Sequence, residues 1–406
     1  TAVERVLRRV LSKKEMALAG FKEETTLENR LQNFPLLLQE IKKDIPAIAR
    51  LTDLEAKTYE AGHFSTYFAR AGLITVFIDS TERSPTFRLY PLDTVNEPER
   101  KCWIQVWTEA ADLKSAWQAF LGRPFHGLNP EIYQKPFEEE INDPYLQEKA
   151  LTSLTKAGDD QQLLYDFSFA SSNIKSRGPK QGDIGVAVLL GPEVEETLRP
   201  NSNSSFGRFG SLFAGRGASL GIILIQDRPV ATPPAERPAL GIVGAGPKKS
   251  EPAIVQLSLP PANDPFRIQQ HVALKMLLNA HSTAVMAKLG KVIGNTMTNV
   301  SPSNLKLIGR ATYLIQLHVN DVLGNPAWVR QNGTRRPISY GEANAVLFDS
   351  IAFMKDSPED LGGAAEVPLS IIRILEALRL KRNFTAEEAL ELVKKPGLAA
   401  YLAGLK

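Results

Sequence analysis

Two short runs constrain this chain most. Residues 185–190 (Gly-Val-Ala-Val-Leu-Leu) and 220–225 (Leu-Gly-Ile-Ile-Leu-Ile) carry no charge and are rich in β-branched and aliphatic side chains. Runs of this length fit strands buried on both faces. Crossing a bilayer takes about 20 apolar residues, so no integral membrane segment is expected. The two runs fall within strands predicted at 183–190 and 219–225, and further strands are predicted at 102–108 and 253–259, with helical patterns at 112–121 and 143–153. Buried strands alternating with helices point to an α/β fold, a doubly wound parallel sheet covered on both faces.

Upstream, residues 1–57 read as helical throughout, with Leu36, Leu37, Ile41 and Ile48 at helical spacing. The pattern then predicts a short strand at 57–64, a turn of helix at 65–71, and a strongly apolar strand at 73–78 (Leu-Ile-Thr-Val-Phe-Ile) that Asp79 follows directly. Residues 201–219, rich in Gly, Ser and Asn, read as a mobile loop, and the proline-rich 227–265 as extended chain around one strand. From 264 onward the periodicity is helical, over 266–294, 303–322, 340–354, 368–380 and 385–393. Thr385 and Glu388 form a capping box. These shifts divide the chain into a helical lead-in (1–50), an α/β domain (51–263) and an all-helical C-terminal domain (264–406).

Several function classes fall away on composition. Hydrophobic residues are 43% and charged residues 23% of the 406, ordinary for a globular protein. The 48 basic and 45 acidic residues leave a net charge of +3, too small over this length to imply a nucleic-acid or membrane surface. The one cysteine, Cys102, rules out an intramolecular disulfide and reads as a buried thiol in an alternating segment. His63, His126, His271, His281 and His318 make no metal-ligand spacing, and His281, on a long helix, reads as a satisfied core or interface histidine. Neither 215–221 nor 241–250 has dinucleotide or P-loop spacing, since Pro247 stands where a P-loop needs lysine. No metal and no cofactor are therefore expected. Without a secretion signal, a cytoplasmic location is expected.

Two segments carry chemistry. In residues 79–87 (Asp-Ser-Thr-Glu-Arg-Ser-Pro-Thr-Phe), Glu82 is read as lying just past a strand's carboxyl end, where open α/β sheets bind ligands. On the long helix, Leu274, Leu277, Leu278 and Val285 form a core stripe, while Lys275, Asn279, Ser282 and Met286 form another. A lysine, an amide and a hydroxyl on one stripe suit an anionic, polyhydroxylated ligand, and a lysine lying along a polar helix face is the alternative.

Residues 275–300 (KMLLNAHSTAVMAKLGKVIGNTMTNV) resemble the signature of N-acetylmuramic acid 6-phosphate etherases and of the glucokinase regulatory protein. In those proteins a sugar isomerase (SIS) domain precedes helices carrying Lys-x-x-Leu-Asn-x-x-Ser-Thr, Leu-Gly-Lys-Val and Asn-x-Met-x-x-Val. Residues 79–87 are similar to the same family's Asp-x-x-Glu-x-x-Pro-Thr-Phe element. The resemblance implies a flavodoxin-like SIS domain with a helical lid over 264–406. Glu82 would contact the sugar, or act as acid/base in an enzyme, and Lys275 would be a second ligand contact. Asn279 and Ser282 would be accessory contacts. Family enzymes also place Gly-x-Gly-Thr-Ser-Gly after the first strand. Residues 60–72 are matched to that turn here, so Ser65 and Thr66 would donate to phosphate although His63, Phe64 and Tyr67 crowd it. Glu109 is the weak counterpart of the etherase's second acid.

These departures resemble the second, degenerate SIS domain of two-SIS regulatory proteins, so residues 1–50 would be lead-in helices or the tail of a preceding SIS domain. The function implied is regulatory-protein-like binding of a phosphorylated sugar or amino sugar, the site being completed by a second SIS domain in cis or by homodimerisation. Etherase- or isomerase-like chemistry is the first alternative, and a protein-interaction module with a partner on the lid is the second.

Overall fold

The computed structural model describes residues 2–19, 27–198, 203–227, 251–261, 266–356 and 365–405. The P-loop-like stretch 241–250 and most of the proline-rich segment lie outside the described residues. The chain forms two compact units. The first comprises Thr1–Ser80, Trp103–Pro124 and Asp166–Ser282, and the second Thr81–Cys102, Phe125–Tyr165 and Thr283–Lys406.

The first unit is built on a five-stranded, all-parallel sheet. Its strands are β1 (Ser65–Ala69), β2 (Ile104–Trp107), β3 (Ile184–Leu190), β4 (Ser219–Asp227) and β5 (Ala253–Leu259), in the spatial order β2-β1-β3-β4-β5. Strands β2 to β5 form where the apolar runs predict them. Every residue of β1 and β3 is buried, as expected for strands covered on both sides. Helix α1 (Ile48–Glu60) supports one face. There a Cβ on Gly221 would sit 2.4 Å from Leu51 Cδ1, so the glycine is what lets the helix approach β4. The remaining helices of this unit named below are α2 (Leu73–Phe87), α3 (Leu113–Leu121), α4 (Ser205–Gly215) and α5 (Ile268–Lys288); the division between units falls within α2 and close to the end of α5.

Helix α4 covers the opposite face. Phe206, Phe209 and Phe213 are fully buried and cluster with Phe68, Trp107, Ala187 and Ile222. Phe209 stacks on Phe68 with ring centroids 5.0 Å apart. The loop expected over 201–219 is therefore wrong for 205–215. Its Gly and Ser content masked three aromatics at i, i+3 and i+7, and Ser204 caps the helix by accepting the Gly207 N–H.

Three further expectations are corrected. Residues 57–60 belong to helix α1, which ends before Gly62 (φ +76°), so no strand spans 57–64. Residues 65–69 are strand β1 rather than helix. Residues 73–78 are the start of helix α2, not a strand. In α2, Leu73, Val76, Ser80, Arg83 and Phe87 are buried at alternating spacings of three and four, while Ile74 and Ile78 are exposed. A short β-branched run fits a buried strand and a half-buried helix equally well by composition. Here the longer period over fifteen residues decides.

The second unit is helical around its own core. Helices α6 (Leu305–Leu323), α7 (Tyr340–Asp356), α8 (Glu366–Leu380) and α9 (Ala386–Lys394) form where expected, and Ile315, Val319, Leu347, Ile371, Ile372 and Leu375 fill the interior. Thr385 and Glu388 make the expected capping box. Helix α5 stops at Lys288 rather than running to 294. Gly290 (φ +72°) and Gly294 (φ +59°) turn the chain into a hairpin of Val292–Ile293 with Thr296–Met297.

Candidate functional site

Because the strands are parallel, their carboxyl ends share one edge. The chain moves from β1 to β2 on one side and later to β3 on the other, so the strand order reverses between β1 and β3. Open α/β sheets bind ligands in the crevice outside that reversal. The turn leaving β1 there is Arg70-Ala71-Gly72, and β3 leads through Gly191 (φ +56°) into a short helix, Pro192–Leu198, whose first turn carries Glu193. The Glu193 carboxylate accepts the Ala71 N–H and the Leu190 N–H, both at 2.9 Å. Arg70 Nε lies 3.5 Å from the same carboxylate, and its Nη1 lies 3.2 Å from Glu109 Oε2. Gln270 Nε2 donates to Asp227 Oδ1 at 3.1 Å at the end of β4, whereas the buried Gln270 Oε1 has no hydrogen-bond partner.

Beside this edge, α2 and α5 are joined by two polar rungs. Thr75 Oγ1 is 2.8 Å from His271 Nδ1, and one helical turn later Lys275 Nζ donates to Asp79 Oδ1 at 3.1 Å. Helix α2 enters this contact at Gly72, where a Cβ would fall 3.1 Å from Leu274 Cδ2. Asp79 opens one of the segments singled out in the sequence and Lys275 opens the other, so the two segments meet in an ion pair. The Asp79 side chain is 2% exposed and that of Lys275 30%. The rest of the polar stripe on α5 divides. Asn279 is exposed, Ser282 is buried with its hydroxyl donating to the Asn279 carbonyl, and Met286 is fully buried.

Ser65 and Thr66 lie inside β1 and are buried. Ser65 Oγ is 2.6 Å from Tyr59 Oη, and Thr66 Oγ1 accepts from Gln105 Nε2 at 2.8 Å. The turn after the first strand is thus residues 70–72, which hold no hydroxyl, and not part of the 60–72 match that contains Ser65 and Thr66. Tyr59 belongs to a buried cluster centred on Glu55. That carboxylate accepts hydrogen bonds from Tyr59 and, at 2.6 Å, from Tyr67 Oη, and it lies 2.7 Å from His281 Nε2. His281 Nδ1 is 2.9 Å from Thr52 Oγ1, so of the two expectations, core or interface, it is a satisfied core histidine.

Sequence reasoning passed over Glu193 and Glu55, though each left a signal. Glu193 follows an apolar run as Gly-Pro-Glu, an acid in a first helical turn. Glu55 interrupts the stripe Leu51–Glu55–Tyr59, whose members are all buried.

In the second unit, Glu82 stands exposed on α2 rather than in a turn after a strand. Arg88 ends that helix in the left-handed region (φ +50°) and pairs with the buried Glu366. Burial, and then the charge of Arg88, push the Lys291 amine below its ordinary pKa, and burial raises that of Tyr145. Among the described residues no cluster of His, Cys, Asp and Glu is arranged to hold a metal, and no helix is long and apolar enough to cross a membrane.

No protein-family model matches the chain. Segments of about 50 residues are similar to curated proteins named N-acetylmuramic acid 6-phosphate etherase. The protein of that name from Parasynechococcus marenigrum (strain WH8102) is 50% identical over 50 residues, which are 12% of this chain and 16% of the relative. That from Clostridium acetobutylicum is 52% identical over 50 residues, 12% of this chain and 17% of the relative. That from Bacteroides thetaiotaomicron is 46% identical over 56 residues, 13% of this chain and 20% of the relative. The matched part is thus a fifth or less of these relatives' length.

Proposed function

We propose that this chain binds a phosphorylated sugar or amino sugar and leaves it chemically intact, as a regulatory SIS-type module. The observation that carries the reading is the Asp79–Lys275 pair, which ties together the two segments resembling the etherases. Lys275, aligned by Asp79, is the proposed contact for the ligand's anionic side. Asn279 is an accessory contact. Glu82, in the second unit, is a separate proposal that rests on the resemblance alone: it would accept from sugar hydroxyls, and Glu82→Gln should then weaken the sugar's thermal shift. Ser65, Thr66 and Ser282, all buried, support the fold around the ligand rather than touching it. A second SIS domain, in cis or by homodimerisation, completes the site in this reading.

Etherase chemistry is the second reading, favoured by the names of the relatives. Elimination of the lactyl ether needs a base to take a proton beside a carbonyl and an acid to protonate the departing oxygen. Supporting the binding reading, Glu109, the residue matched to the second acid, is engaged with Arg70, and the turn after β1 offers no hydroxyl.

A thermal-shift panel of fructose 6-phosphate, fructose 1-phosphate, glucosamine 6-phosphate and N-acetylmuramic acid 6-phosphate tests this. A native-state ligand at a hundredfold excess over Kd adds about 2.7 kcal/mol of stability, so at least one sugar should give a clear shift. Lys275→Met alone would remove an ion pair from a buried carboxylate, so the variant to use is Asp79→Asn with Lys275→Met. Its binding should weaken by about 1.5–3 kcal/mol, the worth of a charge-assisted hydrogen bond. No shift with any of the four sugars would refute the reading.

A further inference from the structure

The crevice between β1 and β3 already holds an anion of its own. Two backbone N–H groups from neighbouring strand ends, those of Ala71 and Leu190, converge on one carboxylate, with Arg70 beside it. Converging N–H groups next to a guanidinium are what a phosphate oxygen requires. The Glu193 side chain that takes this place is 6% exposed, and it comes from the first turn of the short helix Pro192–Leu198, which follows β3 directly through the turn at Gly191. Another buried group beside this turn is unsatisfied. Gln270 Oε1 has no hydrogen-bond partner, and it lies where a Cβ on Gly191 would meet it at 3.2 Å. An orphaned buried acceptor is unfavourable, so this arrangement satisfies Glu193 but not Gln270.

We propose that Glu193 is a tethered carboxylate occupying the anion position of the crevice, and that it sets the specificity of this edge. A phosphate group enters the turn after β1 only by displacing Glu193. In the wild-type chain, therefore, a ligand's phosphate is not received at Ala71 and Leu190. This rests on the reading of the carboxyl edge as the ligand crevice. It predicts something separate, namely that removing one side chain creates an anion site.

The probe is inorganic phosphate. Wild-type protein and Glu193→Ala are titrated with it by calorimetry and thermal shift, alongside the four sugar phosphates. Glu193→Ala should bind phosphate at least about tenfold tighter than wild type, as expected for regained charge-assisted hydrogen bonds, and phosphate should raise its melting temperature but not that of wild type. Glu193→Gln, which keeps the shape but turns a donor toward one N–H, should fold and show a smaller gain. In wild type, the amide resonances of Ala71 and Leu190 should not move on adding phosphate. A folded Glu193→Ala with unchanged phosphate affinity, or wild-type amides at 71 and 190 that shift with phosphate, would overturn the proposal. Loss of every sugar response with the phosphate gain intact would instead sink the sugar-binding reading and leave this one standing.

Discussion

Glu55 and Glu193 are buried carboxylates in the same unit, and they are satisfied in different ways. Glu55 lies in the interior on α1, held by the side chains of Tyr59, Tyr67 and His281. Glu193 lies at the carboxyl edge and is held by backbone N–H groups and a half-exposed arginine. The first arrangement can be lost only by remaking the core around it. The second uses donors that any small anion can satisfy. A carboxylate riveted by side chains reads as stability, whereas one resting on strand-end amides reads as a ligand position already filled.

That contrast is broken most directly at His281. Replacing it with Leu leaves the Glu55 carboxylate with one hydrogen-bond partner fewer in the interior, where a buried group left unsatisfied costs about 1–3 kcal/mol and a carboxylate more. Urea unfolding should show that loss, and no small anion should restore it. A loss below about 1 kcal/mol would mean that Glu55 is not a core rivet. Glu193→Ala is expected to fall lower, at about 1–3 kcal/mol for N–H groups left without an acceptor, and phosphate should recover most of it. Equal losses that phosphate leaves unchanged in both variants would erase the distinction.

The smallest effect is expected at Lys291, in the second unit. Burial first, and Arg88 next, hold its amine below the ordinary value of 10.5, which it regains on unfolding. Between the lowered value and 10.5 the unfolded chain binds more protons, so stability rises with pH across that window and the penalty is fully present below it. Lys291→Met should flatten that rise in urea midpoints measured from neutral pH upward. An unchanged slope would show that Lys291 titrates normally.

How much of this was legible in the sequence follows the same division. Strands β2 to β5 and helices α6 to α9 were readable because each is long enough, or apolar enough, for one period to dominate. Residues 65–78 were read with strand and helix exchanged, and that error moved the expected phosphate turn five residues upstream, onto Ser65 and Thr66. The motif segments themselves were legible as sequence, but their contact was not. Asp79 and Lys275 are 196 residues apart, and no local rule pairs them. Glu193 went unnoticed for a related reason. An acid in a first helical turn is usual, and only the fold brings the Ala71 N–H to meet it.

Ligand-observed NMR of the four sugar phosphates with the wild-type chain tests the central claim most directly. The account predicts saturation transfer from protein to at least one sugar ring, while the lactyl methyl doublet of N-acetylmuramic acid 6-phosphate keeps its ether-linked position throughout. A growing doublet of free lactate, or no saturation of any of the four sugars, would contradict it.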